Sequence, residues 1–160
     1  MYSKEFEHII DDVIKEEGGY VNDKTDRGGE TKYGISKRAF PDEDIKNLSI
    51  DDAKTIYFKK YWKPSKAYLL PEQLQGIYFD MVVNFGTRGA GRVLQKAING
   101  KYKDSVVVDG RVGPNTLKAI KKLEKDRLRA YRVLKFAEIV IKKPAQEKFW
   151  YGWYRRATRV

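Results

Sequence analysis

Apolar residues at helical spacing constrain this chain more than any other feature of its sequence. After Pro71, apolar side chains recur three and four positions apart, which places them on one face of a helix. They are Leu74, Ile77, Tyr78, Met81, Val82 and Phe85. The same spacing occurs near the N-terminus, at Phe6, Ile9, Ile10, Val13 and Ile14. The sequence therefore predicts a mainly α fold.

Start and stop signals predict further helices and very little sheet. Ser49–Asp52 resembles a capping box that opens a helix, and Arg92–Ile98 is expected to be a short helix of its own. The segment from Asp126 to Ile141 is apolar on most sides, so we expect it to be buried. Strand composition is found near Tyr33–Ser36 and Val106–Asp109, which predicts at most a short β-hairpin.

Charge is distributed unevenly along the chain. Residues 1–100 balance 16 Lys and Arg against 16 Asp and Glu, whereas residues 101–160 carry 17 against 6, which is the whole net charge of +11. This basic C-terminal part (residues 101–160) indicates an anionic partner, such as nucleic acid, an acidic membrane surface or an anionic wall polymer. A solvated basic face that keeps the protein in solution explains the same charge equally well.

Composition excludes several classes of protein. The chain has no cysteine, which excludes disulfides, cysteine-based zinc sites and a thiol peptidase. His8 is the single histidine, too few for the customary ligands of a zinc amidase. We therefore expect no metal and no cofactor. No apolar run approaches the roughly 18 residues of a membrane span, and acidic residues interrupt the N-terminal segment, which argues against a signal peptide.

The first predicted helix ends on two glutamates and two glycines. At about 100° per residue, Glu17 falls near the centre of the apolar stripe, while Glu16 falls at its edge and is expected to face solvent. Gly18 then occupies the position where a left-handed residue ends a helix. Apolar surroundings, the negative end of the helix and Glu16 all disfavour the charged form of Glu17, which suits a general acid. The alternative is an ordinary helix end paired with a lysine.

A glycine-rich segment after this helix carries a second carboxylate and a hydroxyl group. Asp26 lies nine positions after Glu17, and Thr31 fourteen after it. Such a set can form one wall of a glycosidase cleft, in which one carboxyl group protonates the leaving oxygen and the other activates a water in an inverting enzyme. Asp23 competes with Asp26 for the second role. Calcium binding is an alternative, but the spacing of Asp23, Asp26 and Glu30 does not fit an EF-hand.

Three further side chains are candidates for binding a sugar. Tyr20 and Tyr33 offer aromatic faces that suit the apolar sides of sugar rings, although packing within the loop explains them equally well. Asn84 lies about a quarter turn from the stripe centre of its helix, where a residue at a cleft rim would hydrogen-bond an acetamido group. A helix cap before Gly86 is the alternative for Asn84.

Several motifs occur in order along the chain: EGGYVND (17–23), GGETKYGIS (28–36), FDMVVNFG (79–86), VLQKAI (93–98), VDGRVGPNTLKAI (108–120) and the closing FWYGWYRRATRV. Together they resemble glycoside hydrolase family 108, the N-acetylmuramidases of phages and bacteria. The resemblance implies a lysozyme-like helical fold and cleavage of the β-1,4 bond between N-acetylmuramic acid and N-acetylglucosamine. It also implies a catalytic region over residues 1–91 and a peptidoglycan-binding region over residues 92–160, packed together as one compact unit.

The resemblance also implies roles for individual residues. The family's catalytic glutamate matches Glu17. The Glu–Asp–Thr spacing is similar to the triad of phage-type lysozymes, one residue shorter before the threonine. That similarity places Asp26 and Thr31 in the water-positioning roles and implies an inverting reaction. The family's loop commonly carries prolines where Lys24 and Arg27 stand here, so this loop is more cationic.

The partners implied by the resemblance are those of a lysin. Peptidoglycan is expected, together with anionic outer-membrane or wall polymers; the protein is expected to be a monomer, and nucleic acid is not expected as a partner. A phage endolysin of this kind is made in the host cytoplasm and depends on a holin to reach the cell wall and lyse the host. Two alternatives stay open: a catalytically silent wall-binding protein and a basic nucleic-acid-binding module. Against the second, no recognised DNA- or RNA-binding motif occurs in the sequence.

Overall fold

Helices dominate the fold, as the apolar spacing predicts. The structure is a computed structural model, and it describes residues 2–24 and 29–160. In these residues the helices are accompanied by one small antiparallel sheet, so the mainly α fold class is confirmed. By its internal contacts the chain divides into two compact units, residues 1–62 and residues 63–160.

The first unit begins with helix α1 (Lys4–Glu17), whose predicted apolar face is largely buried. The side chains that it buries are Phe6, Ile10, Val13 and Ile14. The Ser3 hydroxyl caps the start of the helix by accepting a hydrogen bond from the Phe6 N–H at 3.2 Å. Gly18 ends the helix at a positive φ of 78° and donates its N–H to the Ile14 carbonyl. The predicted stop at Gly18 is confirmed.

A three-stranded antiparallel sheet follows α1, in the order β1 (Val21–Asn22), β2 (Glu30–Lys32) and β3 (Ile35–Ser36). Tyr33 and Gly34 join β2 to β3, with φ of 53° and 78°. Two positive φ values in a two-residue connection are typical of the turn that matches the twist of a hairpin. The structure thus adds a third short strand to the hairpin that the sequence predicts.

Helix α2 (Ile50–Tyr57) completes the first unit together with a π-helical turn, Phe58–Trp62. The predicted capping box is present. The Asp52 N–H donates to the Ser49 hydroxyl, and the Ser49 N–H donates to the Asp52 carboxylate, each at 3.0 Å. Phe6 packs in the core of the unit, with its ring centroid 5.0 Å from that of Phe58.

The second unit is a set of helices without strands among its residues, all of which the structure describes. They are α3 (Lys63–Ser65), a 3-10 turn (Ala67–Leu69), α4 (Glu72–Tyr102), α5 (Pro114–Ile120), α6 (Lys125–Lys142), a 3-10 turn (Pro144–Phe149) and α7 (Trp150–Arg159). Helix α4 is kinked at Gly86, where φ is 76° and ψ is 167°. The predicted separate helix at Arg92–Ile98 is therefore the middle of the segment after this kink. In the described parts of the chain, no helix has the length and apolar character needed to cross a membrane.

Two more predictions for the second unit are wrong. Helix α6 packs against α4 and α7 along one face, where it buries Leu128, Arg132 and Phe136. Leu134 and Ile141 on its other faces stay 50% and 76% exposed, because no described element of the unit covers them. The second wrong prediction is the strand at Val106–Asp109, which is irregular loop.

Candidate active site

Glu17 is the last residue of α1, where its side chain is half-buried. The β2–β3 turn closes over this helix end. The Tyr33 N–H donates to the Gly18 carbonyl at 3.1 Å, and the Tyr57 hydroxyl donates to the Tyr33 carbonyl at 2.7 Å. These two hydrogen bonds tie the turn to α1 on one side and to α2 on the other, so the surroundings of Glu17 are held by three elements.

Gly34 allows the turn to pack directly on the carboxylate of Glu17. A Cβ atom at position 34 would lie 2.8 Å from both Cγ and Oε2 of Glu17, and 2.5 Å from the Tyr57 hydroxyl oxygen. These separations are shorter than any ordinary carbon contact, and the positive φ of Gly34 also disfavours a side chain. The glycine is therefore required by the close approach of backbone to carboxylate.

Tyr61 lies near enough to Glu17 to respond to its charge. Burial raises the pKa of the Tyr61 hydroxyl, and the negative charge of Glu17 raises it further. Tyr61 and Lys60, together with residues 39–43, line a cavity of about 520 Å³. That volume lies in the range of small-ligand sites, roughly 300–1,000 Å³. A cavity large enough for part of a saccharide is thus lined by Tyr61, the tyrosine whose pKa is raised by the charge of Glu17.

Exposure does not separate Glu16 from Glu17 as the helical angles predict. Both side chains are half-buried, so the expectation that Glu16 faces open solvent is wrong. The helix ends at this point, and nearby residues of the same chain cover part of both glutamate side chains. What distinguishes Glu17 is the Gly34 backbone against its carboxylate, which helical periodicity does not predict.

Thr31 lies in the hairpin that packs on Glu17. It occupies the middle of the central strand β2, paired with Val21 on one side and Ser36 on the other, and it is half-buried. The fold therefore brings Glu17 and Thr31 into one hydrogen-bonded substructure. Asp26 lies outside the described residues. Asp23 is described; it directly follows β1 and is exposed.

Both candidate tyrosines belong to the same sheet region. The Tyr20 hydroxyl donates to Oε1 of Glu30 at 2.8 Å, a bond that raises the pKa of Tyr20, and the side chain is 39% exposed. Tyr33 is half-buried in the turn, with the Lys32 ammonium 5.4 Å from its ring centroid. Glu30 thus fixes the direction of an exposed aromatic ring at position 20.

Asn84 lies in the second unit and takes part in a buried charge network. Its Oδ1 accepts a hydrogen bond from Nη2 of Arg132 at 2.7 Å. Arg132 is fully buried and pairs with Asp80, whose other oxygen accepts from Arg156 at 2.7 Å. Burial raises the pKa of the Asp80 carboxyl, but the bonds and charges of Arg156 and Arg132 outweigh it, so the pKa is lowered. The sequence analysis missed this network, because at about 100° per residue Asp80 lies outside the apolar stripe of its helix.

The described part of the first unit holds Glu17 in a defined position. Its side chain packs against the Tyr33–Gly34 turn, which also lies against the Tyr57 hydroxyl. The charge of Glu17 raises the pKa of Tyr61. A half-buried carboxyl group held in this way suits donation of a proton to a leaving oxygen. Among the described residues, no three His, Asp or Glu side chains are placed to share a metal ion.

Two protein-family models match the chain. Residues 10–86 match the family model of glycosyl hydrolase 108, and residues 89–158 match that of a predicted peptidoglycan domain. The chain is a glycosyl hydrolase 108 protein. The two matched regions meet beside the Gly86 kink of α4. With both regions in one chain, this family member is a glycoside hydrolase that acts on peptidoglycan.

A solved structure is similar over both regions. SagA of Brucella abortus shares 28% sequence identity with this glycosyl hydrolase 108 chain and superposes with a TM-score of 0.77. The similarity covers 96% of this chain and 90% of the SagA chain. No curated protein sequence gives a significant match.

Proposed function

We propose that this hydrolase is an N-acetylmuramidase that cleaves the β-1,4 bond between N-acetylmuramic acid and N-acetylglucosamine with inversion. The observation that carries the proposal is the Tyr33–Gly34 turn packed on the carboxylate of Glu17. A carboxyl group packed against a hydrogen-bonded turn keeps one orientation, which a general acid needs in order to meet the glycosidic oxygen.

In the proposed reaction, Glu17 donates its proton to the glycosidic oxygen as the bond from that oxygen to the anomeric carbon breaks. A water attacks the anomeric carbon from the opposite face, and Asp26 accepts the proton that this water loses. The Thr31 hydroxyl orients the water from the central strand. Thr31 is supported by its place in the hairpin beside Glu17, and Asp26 by the resemblance of the Glu–Asp–Thr spacing to phage-type lysozymes.

Substrate binding is assigned to Tyr20, Tyr33 and Asn84. Tyr20 is supported by its exposed ring, held by Glu30, and Tyr33 by its place in the turn on Glu17. Asn84 is supported by the Arg132 bond to Oδ1, which orients its amide nitrogen for donation to an acetamido oxygen. A bound glycan should therefore perturb the NMR signals of each side chain that it contacts, so the three assignments are tested separately.

The biological role that we propose is lysis of a bacterial host by a phage or prophage endolysin acting at the cell wall as a monomer and dependent on a holin. Residues 1–91 would cleave the glycan, and residues 92–160 would bind the wall. The sequence motifs shared with muramidases of phages and bacteria support this role. The basic C-terminal part supports attraction to anionic wall or outer-membrane polymers.

The test is lysis of purified peptidoglycan, followed by turbidity. Glu17→Gln keeps the shape of the side chain and removes its acidic proton, so activity should fall by roughly 10²–10⁴-fold. Glu16→Gln is the matched control, since it makes the same change one residue away, and it should lose little activity. Near-normal lysis by Glu17→Gln would contradict the assignment of the acid.

Product analysis tests the bond and the stereochemistry. Borohydride reduction of the products should convert N-acetylmuramic acid, rather than N-acetylglucosamine, to its alditol, as mass spectrometry can show. NMR during cleavage should show the inverted anomer first. Reduced N-acetylglucosamine would refute the muramidase proposal, and a trapped glycosyl-enzyme would refute inversion.

A further inference from the structure

The loop between α4 and α5 is irregular but firmly held. Residues 103–113 are clamped by two side-chain amides of α4. Asn99 donates through Nδ2 to the Val106 carbonyl at 2.8 Å and accepts from the Val106 N–H at 2.9 Å. Gln95, which is buried, accepts from the Gly110 N–H at 2.8 Å and donates through Nε2 to loop oxygens. The loop therefore keeps one conformation without belonging to a helix or a sheet.

This held loop turns apolar side chains outward. Val107 is 77% exposed, and its neighbour Val108 is also exposed. Fixing the backbone of each loop residue costs conformational entropy, yet the outward valine adds nothing to the core. An ordered loop that presents an apolar residue to solvent is the arrangement of a preorganised binding surface.

The loop and α5 enclose a groove of about 740 Å³ with a mixed lining. Its small apolar residues are Val106, Val107, Pro114 and Ala119, and its cations are Arg111, Lys118 and Lys121. Asp109 is the one carboxylate among the lining residues. One of its oxygens accepts from the Arg111 N–H at 2.8 Å and from Gln95 at 3.0 Å, bonds that lower the pKa of Asp109. The groove thus offers three cations and small apolar surfaces to a ligand.

We propose that this groove binds the acidic, alanine-rich stem peptide of peptidoglycan. The proposal rests on the proposed binding of the wall by residues 92–160 and names the part of the polymer that they recognise. The muramic acid carboxyl groups are amide-linked to the peptides, so the negative charge of the polymer lies on those peptides. Their carboxylates match the groove cations, and alanine methyl groups match Val107 and its apolar neighbours.

The experiment measures binding of a synthetic stem tetrapeptide, containing alanine and glutamate, to the full chain by isothermal titration calorimetry at low salt. Lys118→Glu replaces attraction by repulsion, so affinity should fall about 3- to 10-fold, given the usual strength of exposed charge pairs. Lys122→Glu is the matched control. It makes the same charge change on an exposed residue that does not line the groove, and it should leave affinity within about twofold.

Val107→Ser tests the apolar half of the surface. Because this side chain is largely exposed, the substitution should leave the unfolding temperature unchanged while it weakens peptide binding. The same peptide with amidated carboxylates should bind more weakly than the acid form. Equal affinity for both forms, equal effects of Lys118→Glu and Lys122→Glu, or no binding of the tetrapeptide would overturn the proposal.

Two further results separate this proposal from the proposed function. Chitotetraose, an uncharged sugar chain, should leave the NMR signals of Val107 unchanged; a shift there would assign the groove to glycan and overturn the peptide proposal. If the groove does not bind the peptide, Glu17-dependent cleavage of the wall should still be intact. Failure of the muramidase assignment would appear instead in the reduced sugars, with peptide binding still present.

Discussion

Replacing Gly34 by alanine tests whether the turn positions Glu17. The new methyl group would lie 2.8 Å from Cγ and Oε2 of Glu17 and 2.5 Å from the Tyr57 hydroxyl oxygen, whereas ordinary contacts lie at 3.4–4 Å. Relief of the contact with Glu17 alone therefore needs a displacement of about 0.6–1.2 Å. A misplacement of about 1 Å near the reacting atoms can lower the rate by roughly 10²-fold. We expect Gly34→Ala to lose about that much activity.

Gly29→Ala is the matched control for backbone strain. Gly29 also has a positive φ, 68°, but a methyl group at this position would have no described atom within 4 Å beyond its chain neighbours. Both substitutions should cost about 1–2 kcal/mol of unfolding free energy from the disfavoured φ. Gly34→Ala should cost a further 1–3 kcal/mol or so, because it overpacks the site.

The assay compares both variants at a temperature where thermal unfolding shows each to be folded. Initial rates of peptidoglycan clearing then report the active site rather than the folded fraction. Gly29→Ala should stay within a few-fold of the parent protein, and Gly34→Ala should fall far below it. If Gly34→Ala cleared the wall as fast as Gly29→Ala, the contact with Glu17 would have no part in catalysis.

Four other outcomes are expected. Asp80→Asn should destabilise the fold by about 3–5 kcal/mol in denaturant unfolding, since it leaves buried Arg132 without a carboxylate partner; a loss below about 1 kcal/mol would contradict the buried pair. Because the pKa of Asp80 is lowered, the stability that this carboxylate adds to the fold should be complete above about pH 4. It should disappear as the pH falls through the folded-state pKa. An acid unfolding series that Asp80→Asn does not alter would refute this. Glu17→Gln should lower the pKa of Tyr61, measured by NMR titration, toward the value that burial alone gives, and an unchanged pKa would place the two side chains too far apart. Wall binding through the basic C-terminal part should weaken steeply from low to moderate salt, because screening acts over about 8–10 Å; salt-independent pelleting with walls would remove the electrostatic account.

The apolar spacing was sufficient to predict α1, the first part of α4 and the kind of fold. Phe6, Ile10, Val13 and Ile14 form the buried face of α1 because helical geometry alone decides which residues share a face. The Ser49–Asp52 cap was equally predictable, since both of its hydrogen bonds are local. Burial of α6 was not predictable in the same way, because it depends on which neighbours cover each face of the helix.

For the candidate site, too, the sequence predicted local features, and only the tertiary structure showed the contacts between distant residues. Local pattern located Glu17 at a helix end and a glycine-rich hairpin after it, because caps and tight turns are properties of a few neighbouring residues. The contact between the Gly34 backbone and the Glu17 carboxylate, the Tyr57 hydroxyl bond to the turn and the pairing of Asp80 with Arg132 join residues far apart in the chain. Such contacts arise only when the elements pack, since each depends on the relative placement of two or three elements, which local spacing leaves open.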